Sequence, residues 1–456
     1  MMSQTSSDFI DLEQNGSPTP DNQHDHFTRQ QLERYHARAL QLCREYAYAH
    51  SPFYRQFHQG LTDRPLHELP VLTKAIMMEH FDELITERAF RLEDIKRYMA
   101  APNRTDYFVN RYRVMTTSGS TGAPAIFIYD EQEWRVVMGA LGRVISWLGP
   151  EAQSRSCIIS STSSFHMSAY IQKSSAQRNP GGLRISASDP LESTVQRLNE
   201  WQPTAILGYP SLVRVLADEQ IKGRLHIAPH ATACVSEYLS EGTRKRIEEA
   251  WHIQPYNLYA ATEGGILGVG GNEHQGIHIF EDLVILESVD QNNQPVPHGT
   301  FGAKVLITVL FSRLMPLIRY ELTDSICVST HAACSCGRPY MLIDAPRGRV
   351  WGEALYFPSE TGAEVAVHPV IFEGVVDMFP VSGWKVIQEN DGVHVLISGS
   401  RPEEIDEPLL NALRQALAKH KVKVPPLYIE HVEAIPRNPM SGKVTLVSSN
   451  ISRSIN

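Results

Sequence analysis

The stretch Thr116–Pro124, TTSGSTGAP, indicates both the local fold and the chemistry of this chain. Two β-type runs flank it, Tyr112–Thr117 (YRVMTT) and Ala125–Asp130 (AIFIYD), and predict a hairpin with a long tip of small residues. Because glycines allow close backbone approach and Ser and Thr hydroxyls donate hydrogen bonds, such a tip can wrap the phosphates of a nucleotide. It is not a P-loop, since the sequence contains no GxxxxGK[ST]. A flexible hairpin tip without a ligand is the alternative.

Outward from this hairpin, β-type and helical segments alternate along the chain. The strand candidates are Cys157–Ser160, Thr204–Leu207, Thr232–Ser236 and Pro255–Tyr259. The helix candidates are Glu131–Leu148, Leu191–Trp201, Ser211–Ile221 and Ser240–Trp251. This alternation predicts an α/β layer structure with a largely parallel sheet.

The C-terminal part has a different, α+β pattern. Two strand candidates (GWKVIQ and VHVLIS) precede a helix at Pro402–His420, a strand at Leu427–Glu433 and an exposed loop at Pro436–Lys443. A chain of 456 residues exceeds the ~250–300 residues at which single cores stop growing. We therefore predict a large multi-layer α/β domain over residues 27–349 and a small α+β domain over residues 350–456.

The opening segment is acidic and polar. Residues 1–28 contain five carboxylates and no Lys or Arg, so they carry more than half of the formal net charge of −9. Such a composition cannot bury enough apolar surface to offset the entropy of ordering. We predict a disordered acidic tail over residues 1–26.

Composition excludes several classes of protein. The chain is 42% hydrophobic, which suits a sizeable core and not a wholly disordered protein. No run approaches the ~18 apolar residues of a membrane helix, and no basic stripe indicates nucleic-acid binding. Because the N-terminus lacks the pattern of a signal peptide, the six cysteines are expected to be free thiols in a reducing cytoplasm.

Three further motifs are weak signals when taken alone. Tyr256–Gly265 (YNLYAATEGG) places an aromatic residue before Thr-Glu, a pair of features that can stack on a base and hold Mg²⁺. Met315–Asp324 (MPLIRYELTD) ends in a carboxylate that can accept ribose hydroxyls. Pro436–Lys443 (PRNPMSGK) places a lone lysine on a loop. A buried Tyr, a turn Asp and a solvated Lys are the ordinary structural explanations.

The order and spacing of the four motifs resemble the adenylate-forming superfamily of acyl-CoA synthetases, and most of all its phenylacetate–CoA ligase branch. TTSGSTGAP resembles the phosphate loop, YAATE the aromatic-x-x-Thr-Glu motif, LIRYELTD the RYRTGD motif and RNPMSGK the loop with the adenylation lysine. The branch is indicated by SPFYRQF, LPVLTKAIMMEHFDEL, GIHIFED, MPLIRY and CSCGR. The resemblance extends from about Phe27 to Val444.

This resemblance implies an AMP-forming acid–thiol ligase. A carboxylic acid, aromatic because the branch favours aryl acids, would react with ATP to an acyl-adenylate and pyrophosphate, and the acyl group would pass to a thiol of CoA or of a carrier protein. Thr262 and Glu263 would hold Mg²⁺, and Lys443 would bridge the developing charge on the carboxylate and the α-phosphate. The small domain would be mobile between the two half-reactions. The other nucleotide contacts implied are Ser118, Gly119, Ser120, Thr121, Gly122, Tyr259, Ala260, Asp324 and Arg349.

The acyl pocket is placed by family position. Its implied lining residues are Phe165, His166, Tyr209, Pro210, Ser236 and Glu237, with Ala260 also able to pack on an aryl ring. Phe165 and Tyr209 read equally well as ordinary core aromatics.

Two departures from the family pattern concern the second half-reaction. The hinge sequence GRSDD reads GRVWG at residues 348–352, and the segment that normally helps to admit CoA reads EALYFPSETG. The adenylation residues are therefore kept better than the thiolation residues, and transfer of the acyl group to an amine is an alternative.

Three cysteines fall within ten residues. Cys327, Cys334 and Cys336 would be three thiolates for a structural Zn²⁺, with His274 or His331 as the fourth ligand, and some members of the branch carry zinc at this place. Free thiols in a turn are the alternative.

A competing class is a non-catalytic nucleotide- or acyl-binding module, such as a partner in a biosynthetic assembly. The joint presence of Glu263, Asp324 and Lys443 favours the enzyme, because a binding module need not keep the lysine. Members of the branch are often dimeric, so a homodimer is one expected assembly.

Overall fold

The structure is a computed structural model, and it describes residues 22–102, 105–117, 125–161, 164–178, 181–187, 189–271, 276–330, 334–344, 346, 355–362, 364–367, 369–376, 378–436 and 445–451. Within these ranges the α-helices are α1 (Arg29–His50), α2 (Pro52–Phe57), α3 (Lys74–Glu79), α4 (Phe81–Leu84), α5 (Leu92–Ala100), α6 (Glu131–Trp147), α7 (Met167–Arg178), α8 (Leu191–Trp201), α9 (Pro210–Ile221), α10 (Glu241–Trp251), α11 (Pro369–Val376) and α12 (Pro402–Lys419).

The strands of the same described ranges are β1 (Arg113–Thr116), β2 (Ile126–Tyr129), β3 (Ser156–Ser160), β4 (Leu183–Ser186), β5 (Ala205–Gly208), β6 (Ala231–Val235), β7 (Tyr256–Ala261), β8 (Gly265–Gly270), β9 (Ile277–Ile279), β10 (Val284–Val289), β11 (Lys304–Val309), β12 (Tyr320–Leu322), β13 (Leu342–Ile343), β14 (Leu355–Pro358), β15 (Glu364–Val367), β16 (Gly383–Glu389), β17 (Gly392–Ser398), β18 (Leu427–His431) and β19 (Val447–Ser449). Short 3-10 helices lie at Asn22–His26, Leu66–Glu68 and Pro150–Gln153. None of the described helices is both long enough and apolar enough to cross a membrane.

The chain divides into two compact units that are not contiguous in sequence. The first comprises residues 1–153, 163–180 and 257–346, and the second comprises residues 154–162, 181–256 and 347–456. The predicted domain boundary at 349/350 lies outside the described residues. The units differ from the predicted domains because residues 181–256 group with the C-terminal part, to which Arg214 of α9 contributes a hydrogen bond from its Nη2 to the carbonyl oxygen of Val381.

Part of the segment predicted to be a disordered tail is folded. Residues 22–26 form a 3-10 helix in which His24 and Asp25 are buried. The carboxylate of Asp25 accepts a hydrogen bond from the hydroxyl of Tyr340 at 3.0 Å, and Nδ1 of His24 lies 2.8 Å from Oδ2 of Asp282. The prediction of disorder is therefore wrong for residues 22–26, because polar side chains there find buried partners that composition does not reveal.

The first unit contains the predicted hairpin and two antiparallel sheets. Strands β1 and β2 pair in antiparallel register from Arg113↔Tyr129 to Thr116↔Ile126, which confirms the hairpin. Strands β10, β11 and β12 form one sheet, and strands β13, β9, β8 and β7 follow one another in the second. Helix α6 begins at a capping box, in which Asp130 accepts from the backbone N–H of Glu133 and the Glu133 carboxylate accepts from that of Asp130.

The second unit begins with a parallel sheet. Strands β4, β3, β5 and β6 pair in parallel, and helices α8, α9 and α10 connect or follow them. Buried aliphatic side chains such as Ile159, Ile206 and Val213 form its core. The predicted alternation of strands and helices is confirmed, with element ends that differ by no more than two residues from those read in the sequence.

The C-terminal part of the second unit is the predicted α+β region. Strands β16 and β17 form an antiparallel hairpin, and β18 and β19 add to its two edges in parallel. Helix α12 buries Ile405, Leu409, Leu413 and Leu417 in the core of this region. Because these positions repeat every four residues, one face of the helix carries all the apolar contacts.

Candidate active site

The base of the long hairpin tip is held by hydrogen bonds on both sides. The backbone N–H of Thr117 donates to the carbonyl of Ala125 at 3.1 Å, and the N–H of Ala125 donates to Oγ1 of Thr117 at the same distance. The N–H of Thr116 donates to the carbonyl of Phe165 at 2.9 Å. The predicted phosphate-binding residues Ser118, Gly119, Ser120, Thr121 and Gly122 lie outside the described residues.

Thr262 and Glu263 form the tight turn between strands β7 and β8. The carbonyl of Thr262 accepts a hydrogen bond from the hydroxyl of Tyr129, 2.7 Å away, at the end of β2. Glu263 is buried, with 8% of its surface exposed. Burial and the negative charge of Glu263 raise the pKa of Tyr129 well above its usual range, so the phenol stays a donor. The predicted Mg²⁺-binding motif is thus connected to the hairpin on which the phosphate loop is predicted.

Two glycines allow this turn to form. Gly265 has a φ of +75°, which side chains rarely adopt, and a Cβ there would lie 3.1 Å from the Val137 methyl groups. A Cβ at Gly264 would lie 2.9 Å from the side chain of Leu267. The two glycines of TEGG are therefore favoured by the backbone and the packing of this turn.

Tyr259 and Asp324 come from two different motifs and meet in the first unit. The hydroxyl of Tyr259 donates to Oδ2 of Asp324 at 3.0 Å. Asp324 follows strand β12 and is half-buried, whereas the ring of Tyr259 is buried on β7. Ala260, the next residue of β7, is half-buried. The structure thus brings together the residues assigned to adenine and to ribose.

Two other residues of the motif MPLIRYELTD make structural contacts. Arg319 has a φ of 51° and is buried, and its guanidinium bonds the carbonyl of Leu69 and the carboxylate of Glu287. Glu321, which replaces a usual family residue, pairs with Lys304 at 2.6 Å. These contacts fix strand β12 and so the position of Asp324.

Phe165 and His166 lie just before helix α7, both half-buried. The ring of Phe165 meets that of Tyr98 edge-on, with centroids 6.3 Å apart. The carbonyl of His166 accepts from the N–H of Ala169 at 3.0 Å and so helps to start the helix. Tyr98 was missed by sequence reasoning, because it lies in helix α5 outside every motif.

The remaining predicted pocket residues lie in the second unit, where the parallel strands β5 and β6 end. Tyr209 is fully buried and its hydroxyl accepts from the N–H of Ser161 at 2.9 Å, so it supports this edge from within the core. Pro210 is the first residue of helix α9, a position that suits its fixed φ. Glu237 accepts from the N–H of Ser211 at 3.1 Å. Ser236 is exposed and has a φ of 73°, a strained value for a residue with a side chain.

The structure changes the set of residues that could bind zinc near the cysteines. His278, Cys334 and Cys336 bring their ligand atoms within 4.8 Å of one another, and Nε2 of His278 lies 3.2 Å from Sγ of Cys336. Cys327 does not belong to this group: it is buried, and its thiol donates to the carbonyl of Val328 at 3.8 Å. His278, on strand β9, was missed because it stands in an apolar strand far from the cysteines in sequence. His274 lies outside the described residues.

Two further predicted residues, Arg349 and Lys443, also lie outside the described residues. The roles predicted for them rest on the sequence.

Comparison with known proteins bears on these observations. No protein-family model matches the chain. It is 24% identical over 421 residues to the phenylacetate–coenzyme A ligase of Thermus thermophilus, covering 86% of each chain. It is similar in structure to 2-hydroxyisobutyryl-CoA ligase in the postadenylation state with R3-HIB-AMP, with a TM-score of 0.73, 19% identity and coverage of 94% of this chain and 91% of that one.

A second solved structure is the anthranilate CoA ligase in complex with anthranoyl-AMP, with a TM-score of 0.53, 16% identity and coverage of 73% and 64% of the two chains. These proteins are CoA ligases. The predicted resemblance to the adenylate-forming superfamily and its phenylacetate–CoA ligase branch is confirmed. So is the predicted fold, a large N-terminal α/β domain followed by a smaller C-terminal domain.

Proposed function

We propose that this chain, which has the fold of CoA ligases and resembles phenylacetate–CoA ligase, activates a carboxylic acid with ATP and transfers the acyl group to CoA. The observation that carries the proposal is the convergence of separate motifs in one unit. Tyr259 bonds Asp324 at 3.0 Å, and Tyr129 ties the hairpin of the phosphate loop to Thr262 at 2.7 Å. A strand-end tyrosine or a turn aspartate by itself is common. Their direct contact would place the adenine-binding and the ribose-binding residue within reach of the same nucleotide.

In the first half-reaction the carboxylate oxygen of the acid attacks the α-phosphorus of ATP. The bond between the α-phosphorus and the bridging oxygen to the β-phosphate breaks, and pyrophosphate leaves with the electron pair. Positioning and neutralisation of charge are the main tasks of the protein in such a displacement. The loop residues 118–122 would hold the leaving group, Asp324 the ribose hydroxyls, Arg349 a second part of the nucleotide and Lys443 the charge at the reacting phosphate.

The position of Glu263 fits a divalent cation. Glu263 is a buried carboxylate in the turn between β7 and β8, directly after Thr262. Mg²⁺ prefers a site of one or two carboxylates completed by phosphate oxygens and water, and when bound it neutralises charge on the phosphates. Glu263, helped by Thr262, would hold it at the turn between β7 and β8.

We propose an aromatic acid as substrate. The edge-on pair of Tyr98 and Phe165 provides an aromatic surface in the first unit, and such rings favour packing against an aryl group. The relatives include ligases named for phenylacetate and for anthranilate, and also one for 2-hydroxyisobutyrate, which is aliphatic.

In the second half-reaction the thiol sulfur attacks the acyl carbon, AMP leaves, and the thiol proton is released.

ATP–pyrophosphate exchange tests the proposal. We expect the purified chain to incorporate labelled pyrophosphate into ATP in the presence of Mg²⁺ and an aryl acid such as phenylacetate or anthranilate, and less with 2-hydroxyisobutyrate or a fatty acid. Exchange requires only the adenylation half-reaction, so it does not depend on the acceptor. Glu263→Gln should reduce exchange on the order of 10²-fold, the effect typical of removing a charge aimed at the reacting groups.

Two outcomes of this assay would decide against the proposal. No exchange with any acid of the panel favours the non-catalytic binding module. Exchange without thioester formation on addition of CoA, but with formation of an amide or of an acylated carrier protein, favours the other acceptors that the altered segment at residues 348–362 leaves open.

We also propose that His278, Cys334 and Cys336 belong to a structural zinc site. Nδ1 of His278 lies 3.1 Å from the carbonyl of Tyr340, so a proton on Nδ1 would be held there and the lone pair of Nε2 would face Cys336. A ring nitrogen and two thiolates are ligands that zinc prefers. Burial raises the pKa of the Cys336 thiol and so disfavours the thiolate. A bound cation would favour the thiolate instead.

Metal analysis of the purified protein checks this site. We expect about one Zn²⁺ per chain, and loss of most of it in Cys336→Ser, because a hydroxyl is a poor zinc ligand. Cys327→Ser is the matched control, since Cys327 is close in sequence but outside the group, and it should keep the metal. If the unaltered chain contains no zinc, or if both variants lose it, this ligand set is refuted.

Three further expectations concern the compartment, the mobility of the small domain and the assembly of the chain. None of the six cysteines forms a disulfide in the structure, which is what a reducing compartment such as the cytoplasm favours. A mobile small domain and a homodimer remain predictions from the resemblance.

A further inference from the structure

The hydrogen bond between Tyr259 and Asp324 joins two sheets of the first unit. Tyr259 belongs to strand β7 and Asp324 follows strand β12, 65 residues later. Tyr259 is 6% exposed and Asp324 is half-buried, so the hydrogen bond is partly shielded from water. A bond from a neutral donor to a carboxylate in such a place is stronger than one between neutral groups.

Local backbone structure directs the tyrosine. The pairing of β7 with β8 shifts register between Tyr259 and Ala260, where Tyr259 faces Gly268 and Ala260 faces Ile266. Such a bulge turns the side chains around it. Gly268 cannot be replaced, because a Cβ there would lie 2.3 Å from the carbonyl oxygen of His278. Strand β8, which carries the extra residue of the bulge, is therefore held closely against strand β9.

The backbone that carries Asp324 is fixed as well. Oγ of Ser325 donates to the carbonyl of Gly302 at 2.6 Å, and the N–H of Gly302 donates to the carbonyl of Ile326 at 3.0 Å. Because both backbones are fixed, the hydroxyl of Tyr259 can act on Asp324 by selecting the rotamer of its side chain.

We infer that Tyr259 is a positioning residue for ribose recognition: its hydroxyl holds one carboxylate oxygen of Asp324 so that the remaining acceptor positions meet the 2′ and 3′ hydroxyls of the nucleotide. This inference rests on the proposed nucleotide site. A carboxylate has about four lone-pair positions, so a bond from Tyr259 is compatible with bonds from ribose hydroxyls to the same group. Holding the carboxylate in advance lowers the ordering cost when the nucleotide binds.

The inference differs from a role of the ring alone. If Tyr259 acts only by packing its ring near the base, its hydroxyl contributes nothing to discrimination at the sugar. If it positions Asp324, removing the hydroxyl weakens binding only of nucleotides that carry ribose hydroxyls.

The test compares dissociation constants for ATP and for 2′,3′-dideoxy-ATP in the full chain and in Tyr259→Phe. We expect the variant to bind ATP about tenfold more weakly and dideoxy-ATP within about twofold of the unaltered chain, because only ATP uses the positioned carboxylate. At saturating ATP and acid, kcat for exchange should change much less than the apparent KM for ATP.

A double-mutant cycle makes the test specific. Asp324→Asn should remove most discrimination between the two nucleotides, and Tyr259→Phe added to it should change the ratio no further, since the partner is already altered. Tyr112→Phe is the matched control: Tyr112 is buried and donates to Oε2 of Glu87 at 3.0 Å, also a tyrosine–carboxylate bond. It should leave the ratio unchanged.

The inference and the proposed function fail in different ways. Equal weakening of ATP and dideoxy-ATP by Tyr259→Phe, or no weakening of either, would overturn the positioning role even in an active ligase. Binding of ATP with discrimination at the sugar, but no exchange with any acid, would overturn the ligase and leave the positioning role supported.

Discussion

Replacement of Lys443 by alanine is expected to abolish acyl-adenylate formation while ATP still binds. The resemblance places this lysine where negative charge develops between the acid and the α-phosphate. Removing a donor aimed at such charge typically reduces the rate by about 10²–10³. Nucleotide binding should change little, because the residues proposed to hold the nucleotide, among them Glu263 and Asp324, lie in the predicted larger domain. Exchange of labelled pyrophosphate and direct ATP binding, measured on the same preparation, separate the two effects.

The control for this prediction is Lys419→Ala. Lys419 is an exposed lysine in the last turn of α12, in the same C-terminal part of the chain, and it belongs to none of the four motifs. It should keep normal exchange. Near-normal exchange by the Lys443 variant would remove the lysine from the mechanism and with it the main argument for an enzyme over a binding module.

Local patterns in the sequence predicted the elements of this fold well. The runs on either side of TTSGSTGAP pair as β1 and β2, and the hairpin of β16 and β17 forms where two alternating runs flank a short turn. These predictions succeed because hydrophobic periodicity and turn residues act over a few positions.

Contacts between distant segments could not be predicted in the same way. His278 and Cys336 meet across 58 positions, and the sequence instead favoured Cys327 because it is close along the chain. His24 and Asp25 looked like part of a disordered tail until their partners were known. The resemblance assigned Tyr259 and Asp324 to one nucleotide, but no sequence signal predicted that they bond each other.

One more distant contact carries the largest expected effect on stability. Arg143 of helix α6 forms two hydrogen bonds with Asp282, at 2.9 and 2.7 Å, and neither side chain is exposed. Its guanidinium also lies 4.8 Å from the ring centroid of Phe280. Burial opposes ionisation of Asp282, but the charge of Arg143 and the bonds from His24 and Arg143 hold the pKa of that carboxyl well below its usual range.

Arg143→Met should therefore lower the free energy of unfolding by about 3–5 kcal/mol, because it leaves a buried carboxylate without its charged partner. The deficit should be largest near neutral pH. A carboxyl with a depressed pKa stabilises the fold above its unfolded pKa and loses that contribution as pH falls, so acidification removes from the unaltered chain a contribution that the variant already lacks. The gap between them should narrow below about pH 4. Guanidinium denaturation at several pH values measures it.

Arg29→Met is the matched control for this change. Arg29 also makes two bonds to a carboxylate, that of Glu281 at 2.6 and 3.0 Å, but its side chain is 48% exposed. Its removal should cost less, about 1–2 kcal/mol, because Arg29 is half in water and the buried Glu281 carboxylate, 7% exposed, keeps its hydrogen bond from the N–H of Met341. The double variant Arg143→Met with Asp282→Leu should recover much of the loss, because an apolar pair needs no charge compensation. Equal losses in the Arg143 and Arg29 variants would show that burial does not set the strength of these pairs.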